Sequence, residues 1–305
     1  MAEDKKKHPF WKGKVLPRLA LMVAPFPKNT FCSIDVTNKC NLRCAHCYFY
    51  AYKQEDKKEL TNEQWLARIE KMQKGKHPFF SCTWVGGEPL LRKDLIAQAK
   101  KFFKSNRVVT NGTLPLPNWP DVDFHISVDG TEKLHDQVRG VGSYAKLKKN
   151  ILEQNQKVIL ACCLHKGNVE CIEPLLEEWK KVAQIKFILF DFFTPIKGVK
   201  EELWLDFAQR DKVLNKLFDL KKNKYGDLIG APLNTFKLMQ ARHKHKAVGK
   251  NCVFVKHGIA LDAFGEPKLP CVIGGKADCN RCGCIVPFSI KAWKQPSNLL
   301  KEIFT

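Results

Sequence analysis

The 305-residue chain lacks any apolar run of the roughly 18–20 residues that a membrane-spanning helix requires. Its N-terminus is basic, but it lacks the apolar stretch of a secretory signal. No internal repeat or low-complexity segment is present, so neither a repeat architecture nor a disordered tract is indicated. These absences predict a globular protein of the cytoplasm without a transmembrane segment.

Acidic residues are scarce relative to basic ones, since 31 Asp and Glu stand against 52 Lys and Arg, a formal net charge of +21. The lysines are spread through nearly every polar segment, which favours a solvated basic surface. An acidic substrate, a nucleic acid or an anionic membrane surface is the alternative explanation. Because no arginine-aromatic recognition motif is present, a nucleic-acid partner is not expected.

Cysteine, in contrast, is abundant, with 13 residues concentrated near the N-terminus and after residue 250. Disulfide frameworks are typical of small secreted domains, and this chain is neither small nor expected to be exported. Clustered thiols in a reducing compartment therefore indicate metal binding. The cysteines outside the two groups are interpreted as small buried side chains: Cys32, Cys82, Cys162, Cys163 and Cys171.

Short apolar segments alternate with amphipathic ones from residue 31 to about residue 198, which predicts an α/β fold with a parallel sheet, open or closed into a barrel. The proline-rich segment 1–30 is predicted to be an irregular lead-in. Amphipathic helices are predicted over 206–223 and around 234–242, and the rest is turn-rich and cysteine-rich. The predicted strands are 31–36, 79–85, 107–111, 123–129, 158–164 and 185–191.

The first cysteine group is Cys40, Cys44 and Cys47, in a C-x3-C-x2-C spacing directly after a predicted strand. Three thiolates on one short loop can bind three irons of a [4Fe–4S] cluster, which leaves the fourth iron open to a small ligand. Zinc is the competing metal, but a structural zinc site needs four ligands. His46 is an awkward fourth ligand because its chain neighbour Cys47 already belongs to the set.

This spacing, followed by the aromatic Tyr48, resembles the radical S-adenosylmethionine (SAM) superfamily. The resemblance implies a partial (β/α)6 TIM-like barrel over residues 31–230. It implies that the open iron binds the amino and carboxylate groups of SAM. It also implies reductive cleavage of SAM to a 5′-deoxyadenosyl radical, which abstracts hydrogen from an unactivated carbon. Cys40, Cys44 and Cys47 would then be the catalytic ligands.

Four motifs extend the resemblance along the chain. Gly86, Gly87 and Glu88 follow the second predicted strand, where the glycines permit close approach and the family's carboxylate holds the methionyl amino group. Thr110 and Asn111 end the third strand, facing the cofactor or capping a turn.

Further along, Ser127 and Arg139 match family positions that contact SAM, the arginine through the SAM carboxylate. Asp129, between them, is a candidate turn cap.

The second cysteine group lies in residues 231–305, which resemble the SPASM and twitch extensions of this superfamily through DAFGEPKLPC and CNRCGC. Four thiolates would ligate one auxiliary [4Fe–4S] cluster, and five are present, so one is spare. Zinc remains an alternative because C-x2-C is also a zinc knuckle, and His257 is a further candidate ligand. The candidate ligands are Cys252, Cys271, Cys279, Cys282 and Cys284.

The function predicted from this resemblance is hydrogen abstraction from a peptide or a small biosynthetic intermediate. The auxiliary cluster would assist electron transfer or substrate binding, and flavodoxin or ferredoxin would serve as the reductant. A lipid-modifying adenosyl transferase of the hopanoid type is one alternative. A non-catalytic iron–sulfur protein for electron transfer or redox sensing and a zinc-bearing nucleic-acid binder are alternatives from other classes.

Overall fold

The computed structural model describes residues 29–51, 57–196 and 201–294. Most of the lead-in predicted for 1–30 therefore lies outside the described residues. The described strands form one parallel sheet in the order β6-β5-β4-β3-β2-β1-β7. They are β1 (Phe31–Asp35), β2 (Ser81–Val85), β3 (Ser105–Thr110), β4 (Val122–Ser127), β5 (Val158–Leu164), β6 (Ile185–Phe192) and β7 (Gly258–Leu261).

Helices connect most of these parallel strands, as is usual for crossover connections. The loop 111–121 joins β3 to β4 without a helix. The described α-helices are α1 (Asn62–Gln73), α2 (Lys93–Ala99), α3 (Glu132–Arg139), α4 (Ser143–Leu152), α5 (Ile172–Trp179), α6 (Phe207–Leu220), α7 (Leu233–Met239), α8 (Val253–His257) and α9 (Ile285–Trp293). None of these helices combines the length and apolarity needed to cross a bilayer.

The two faces of the sheet differ in burial. One face packs on the helices and is fully buried, with Val108, Phe124 and Leu160 in the main core. Most of the alternate residues, on the opposite face, are partly exposed, whereas His125 and Ile159 among them are buried. We call this second set the open face: Thr83, Arg107, Val109, Ser127, Ala161, Cys163, Phe187, Leu189 and Asp191.

The predicted α/β class and its six parallel strands are confirmed, with ends shifted by at most two residues. The strand β7 was missed, because GIAL is short and begins with glycine, a residue depleted in strands. Its pairing with β1 joins the cysteine-rich region directly to the sheet. The helix expected over 206–223 is α6, followed by a π-turn at Lys221–Tyr225. The domain boundaries remain predictions.

Candidate active site

The three-cysteine loop begins five residues after β1. The Cys47 amide donates to the Cys44 carbonyl (3.1 Å), and the Leu42 amide donates to Cys40 Sγ (3.4 Å). All three thiols are free and partly exposed. Burial raises the pKa of the Cys40 and Cys44 thiols, and the nearby Cys47 thiol adds to both shifts. The three sulfurs are therefore close enough to interact.

The donor set fits a cluster better than a single ion. In the described part of the chain, no three His, Cys, Asp or Glu side chains converge on one metal position. A [4Fe–4S] cluster does not need such convergence, because each thiolate binds a different iron. His46 Nε2 lies 3.3 Å from Asp129 Oδ2, so this nitrogen faces a carboxylate.

The two glycines after β2 pack against this loop. The Gly87 amide donates to the Thr37 carbonyl and the Glu88 amide to the Lys39 carbonyl, both at 2.8 Å. A Cβ atom on Gly87 would clash with the Lys39 carbonyl oxygen. Close approach of the cysteine loop, rather than of a ligand, therefore accounts for glycine at this position.

Glu88 is buried beneath the loop and accepts three hydrogen bonds. They come from the Thr110 hydroxyl (2.7 Å), the Leu90 amide (3.0 Å) and the Asn111 amide (2.9 Å). A carboxylate has about four acceptor positions, so roughly one is left, on Oε2. Burial raises the pKa of Glu88, although these donors oppose the shift.

Thr110 and Asn111 connect the end of β3 to this site. The Thr110 hydroxyl donates a hydrogen bond to Glu88 and so positions its carboxylate. The Asn111 side-chain amide donates to Asn41 Oδ1 (2.9 Å) and lies 4.0 Å from Cys40 Sγ. Thr110 therefore supports the Glu88 carboxylate, and Asn111 supports the cysteine loop.

Arg139 and Asp129 form a buried ion pair on the other side of the loop. Arg139 Nε donates to Asp129 Oδ2 at 2.6 Å, and Nη1 lies 3.9 Å from Cys44 Sγ. Asp129 Oδ1 accepts the Cys163 amide at 3.0 Å. Burial alone would raise the pKa of Asp129, but the charges of Arg139 and His46 outweigh it and hold that pKa below its ordinary value.

The remaining predicted residues lie around this pair. Ser127 ends β4 on the open face. The Tyr48 ring lies 6.0 Å from Lys268 Nζ, and Lys268 forms an ion pair with the buried Asp35 of β1. Sequence reasoning missed that Asp129 is the centre of the network. Its signal was weak, because an Asp-Gly pair after a strand usually marks a turn.

The second cysteine group lies against β6 and α6. Burial raises the pKa of the Cys271 thiol, and the thiols of Cys279 and Cys252 raise it further. The pKa of Cys282 is raised to about 12 by burial, with added effects of Cys271 and Cys252. The Cys252 thiol therefore lies near the thiols of Cys271, Cys279 and Cys282.

Cys284 has different surroundings. Burial, then the Asp191 carboxylate, and then the thiols of Cys282 and Cys271 raise the pKa of its thiol. The adjacent residues are both bonded to the β6 end, Gly283 to Thr194 Oγ1 (2.8 Å) and Ile285 to Asp191 Oδ1 (2.6 Å).

A buried arginine, which the sequence analysis did not single out, holds the cysteine-rich segment on α6. Arg210 donates through Nη1 to the Arg281 carbonyl (3.2 Å) and through Nη2 to the Cys282 carbonyl (3.0 Å). No sequence signal indicated it, because an arginine in an amphipathic helix normally faces solvent.

The first strand of the parallel sheet leads into the three-cysteine loop, whose spacing resembles that of the radical SAM superfamily. Residues 34–179 match the model of the Radical SAM superfamily. This part of the chain is a radical SAM domain.

Two curated relatives illustrate the similarity. The sporulation killing factor maturation protein SkfB of Bacillus subtilis is 31% identical over 165 residues, which cover 48% of this chain and 38% of the relative. The cysteine-type anaerobic sulfatase-maturating enzyme of Clostridium novyi is 27% identical over 214 residues, which cover 60% of this chain and 57% of that enzyme. The chain thus spans less than two thirds of either relative.

The fold extends over almost the whole chain. SuiB of Streptococcus suis, solved bound to its precursor peptide SuiA, matches with a TM-score of 0.63 at 18% identity, covering 99% of this chain and 73% of SuiB. The predicted radical SAM fold with a cysteine-rich C-terminal region is confirmed.

Proposed function

We propose that this chain is a radical SAM enzyme that modifies a C–H bond of a peptide. When bound, the [4Fe–4S] cluster supplies one electron for cleavage of SAM to a 5′-deoxyadenosyl radical that abstracts hydrogen. Cys40, Cys44 and Cys47 would hold that cluster. One observation carries this proposal: Glu88 and Arg139 lie on opposite sides of the three-cysteine loop.

Glu88 and Arg139 suit the two ends of the methionyl group. The acceptor position left on Glu88 Oε2 would take the SAM ammonium. The Arg139 guanidinium, near Cys44, would attract the SAM carboxylate. Thr110, Asn111 and Asp129 act as positioning residues, because each one bonds to Glu88, to Arg139 or to the loop.

A peptide is the favoured substrate class. SkfB and the sulfatase-maturating enzyme are named for maturation, and SuiB was solved with a precursor peptide. The lipid-modifying and electron-transfer alternatives gain no support from these relatives. The basic surface, at +21, suits an acidic one-electron donor such as flavodoxin or ferredoxin.

We assign the auxiliary [4Fe–4S] cluster to Cys252, Cys271, Cys279 and Cys282. Cys252 lies near the other three thiols. Cys284 lies near Cys282 and Cys271 as well, but its foremost charged neighbour is Asp191 of β6. Iron analysis tests the choice. Cys282→Ala should lose about four irons per chain, while Cys284→Ala should keep them. Equal loss in both variants would contradict the assignment.

Anaerobic reconstitution with iron and sulfide tests the function itself. We expect about eight irons per chain, from two clusters, and formation of 5′-deoxyadenosine after dithionite reduction in the presence of SAM. Bound zinc with no SAM cleavage would overturn the proposal and favour the zinc-protein alternative.

A further inference from the structure

The Arg107 guanidinium is a cation on the open face, and it has no carboxylate partner among the described residues. Its Nε donates to His125 Nε2 at 2.9 Å, which is its one side-chain hydrogen bond within the described ranges. Asp123 is its register partner on β4, but the Asp123 carboxylate pairs with Lys186 at 3.4 Å. Among the described residues, Arg107 forms no ion pair.

His125 orients this guanidinium without neutralising it. Burial, followed by the charges of Arg107 and Lys186, lowers the pKa of His125 well below its ordinary value. The imidazole is therefore neutral and accepts at Nε2. Burial also lowers the pKa of Arg107, which Asp123 and Cys284 partly offset, but a guanidinium remains charged at physiological pH.

The terminal nitrogens of Arg107 are available for a ligand. Neither Nη1 nor Nη2 has a hydrogen-bond partner in the described chain, and neither belongs to its fully enclosed unpaired atoms. The open face combines apolar residues, among them Val109, Phe187 and Leu189, with the polar Thr83, Ser127 and Asp191. Apolar walls with a few placed polar groups are typical of ligand sites.

We propose that Arg107 binds a carboxylate of the substrate. Two parallel N–H donors match a carboxylate in a bidentate pair. A single positive charge beside a neutral histidine matches a monoanion, whereas a phosphate dianion would keep one charge buried without a partner. The carboxylate belongs to a peptide, either on an acidic side chain or at the C-terminus. This inference rests on the proposed function, because it anchors the substrate of that reaction.

The position of Arg107 sets the distance to the reacting carbon. Arg107 lies three residues before Thr110, whose hydroxyl contacts Glu88. At roughly 3.3 Å per residue, the Arg107 backbone is about 10 Å from the strand end near the thiol loop. The substrate therefore spans the open face, with its carboxylate at Arg107 and its reacting carbon near the three-cysteine loop.

Arginine-specific labelling of the reconstituted full chain tests this site. Phenylglyoxal is applied anaerobically, and modified residues are mapped by mass spectrometry. We expect N-acetylglutamate methylamide or N-acetylalanine to slow modification of Arg107 severalfold. Stronger protection by the first probe indicates an acidic side chain, and stronger protection by the second indicates a C-terminal carboxylate. The matched amide N-acetylglutamine methylamide should not protect. The exposed Arg242 serves as the internal control and should react at one rate throughout.

Three results would overturn the inference: no modification of Arg107 without a probe, equal protection by the amide, or protection by inorganic phosphate as strong as that by the carboxylates. The same preparation is assayed for 5′-deoxyadenosine. Its formation without protection of Arg107 rejects only the carboxylate site, whereas protection without 5′-deoxyadenosine rejects the proposed function.

Discussion

The Arg139 guanidinium is bonded to the Asp129 carboxylate at 2.6 Å, directly beside the Cys44 thiol. Arg139 ends α3 and Asp129 follows β4, so the pair joins a helix end, a strand end and the cysteine loop. The carboxylate is fully enclosed and the guanidinium nearly so. Removing Asp129 alone takes away the carboxylate partner of Arg139, and removing Arg139 alone leaves the buried carboxylate with His46 as its remaining partner.

Replacing Arg139 by Ala should lower the free energy of unfolding by about 3–5 kcal/mol, because the buried Asp129 carboxylate then loses its guanidinium partner. It should also weaken SAM binding. The double variant Arg139→Ala/Asp129→Asn should recover part of the stability, since the buried charge is gone. Anaerobic urea unfolding measures both effects. Additive losses in the two single variants would contradict direct coupling of this pair.

His135 should make stability depend on pH. It accepts the Asp129 amide through Nδ1, and burial, followed by the charge of Arg139, lowers its pKa to about 4. The unfolded value is about 6.5, so the unfolded chain binds a proton first as the pH falls. Stability should drop by about 2 kcal/mol from pH 7 to pH 5.

The His135→Gln variant provides the comparison, because its amide oxygen can accept the same hydrogen bond without titrating. Its unfolding free energy should change less over that pH range. Parallel curves for the variant and the wild type would show that another group causes the dependence.

The sequence was sufficient for β1 to β6 and for the cysteine loop, because β-branched runs and thiol spacing are local signals. It could not reveal that Asp129, rather than Ser127, is the centre of the charged network, since that depends on Arg139 returning from α3. Nor could it separate Cys284 from its neighbours. Their different surroundings arise from the docking of Gly283 and Ile285 on β6, a contact between residues about 90 positions apart.

Gly87→Ala should displace the cysteine loop, because the new methyl group would meet the Lys39 carbonyl. We expect loss of about four of the roughly eight irons and of SAM cleavage. Gly75→Ala is the matched control, since its Cβ would make only ordinary contact at 3.4 Å with the Met72 carbonyl. A Gly87→Ala protein with full iron content and SAM cleavage would contradict the importance of this contact.

Arg210→Met should loosen the cysteine-rich segment from α6, because two carbonyls lose their donor. Iron should fall from about eight toward about four per chain, while 5′-deoxyadenosine formation without substrate should persist. Lys212→Met, at an exposed position of the same helix, should change neither quantity. Equal iron in the two variants would argue against this anchor.

The most direct test is 5′-deoxyadenosine formation by reconstituted wild type and Cys44→Ala, assayed side by side with dithionite and SAM. We expect product from the wild type and none from Cys44→Ala, which should still retain the about four irons of the auxiliary cluster. Product at the wild-type rate from Cys44→Ala, or none from a wild type with its full iron content, would contradict the assignment of the radical SAM site to Cys40, Cys44 and Cys47.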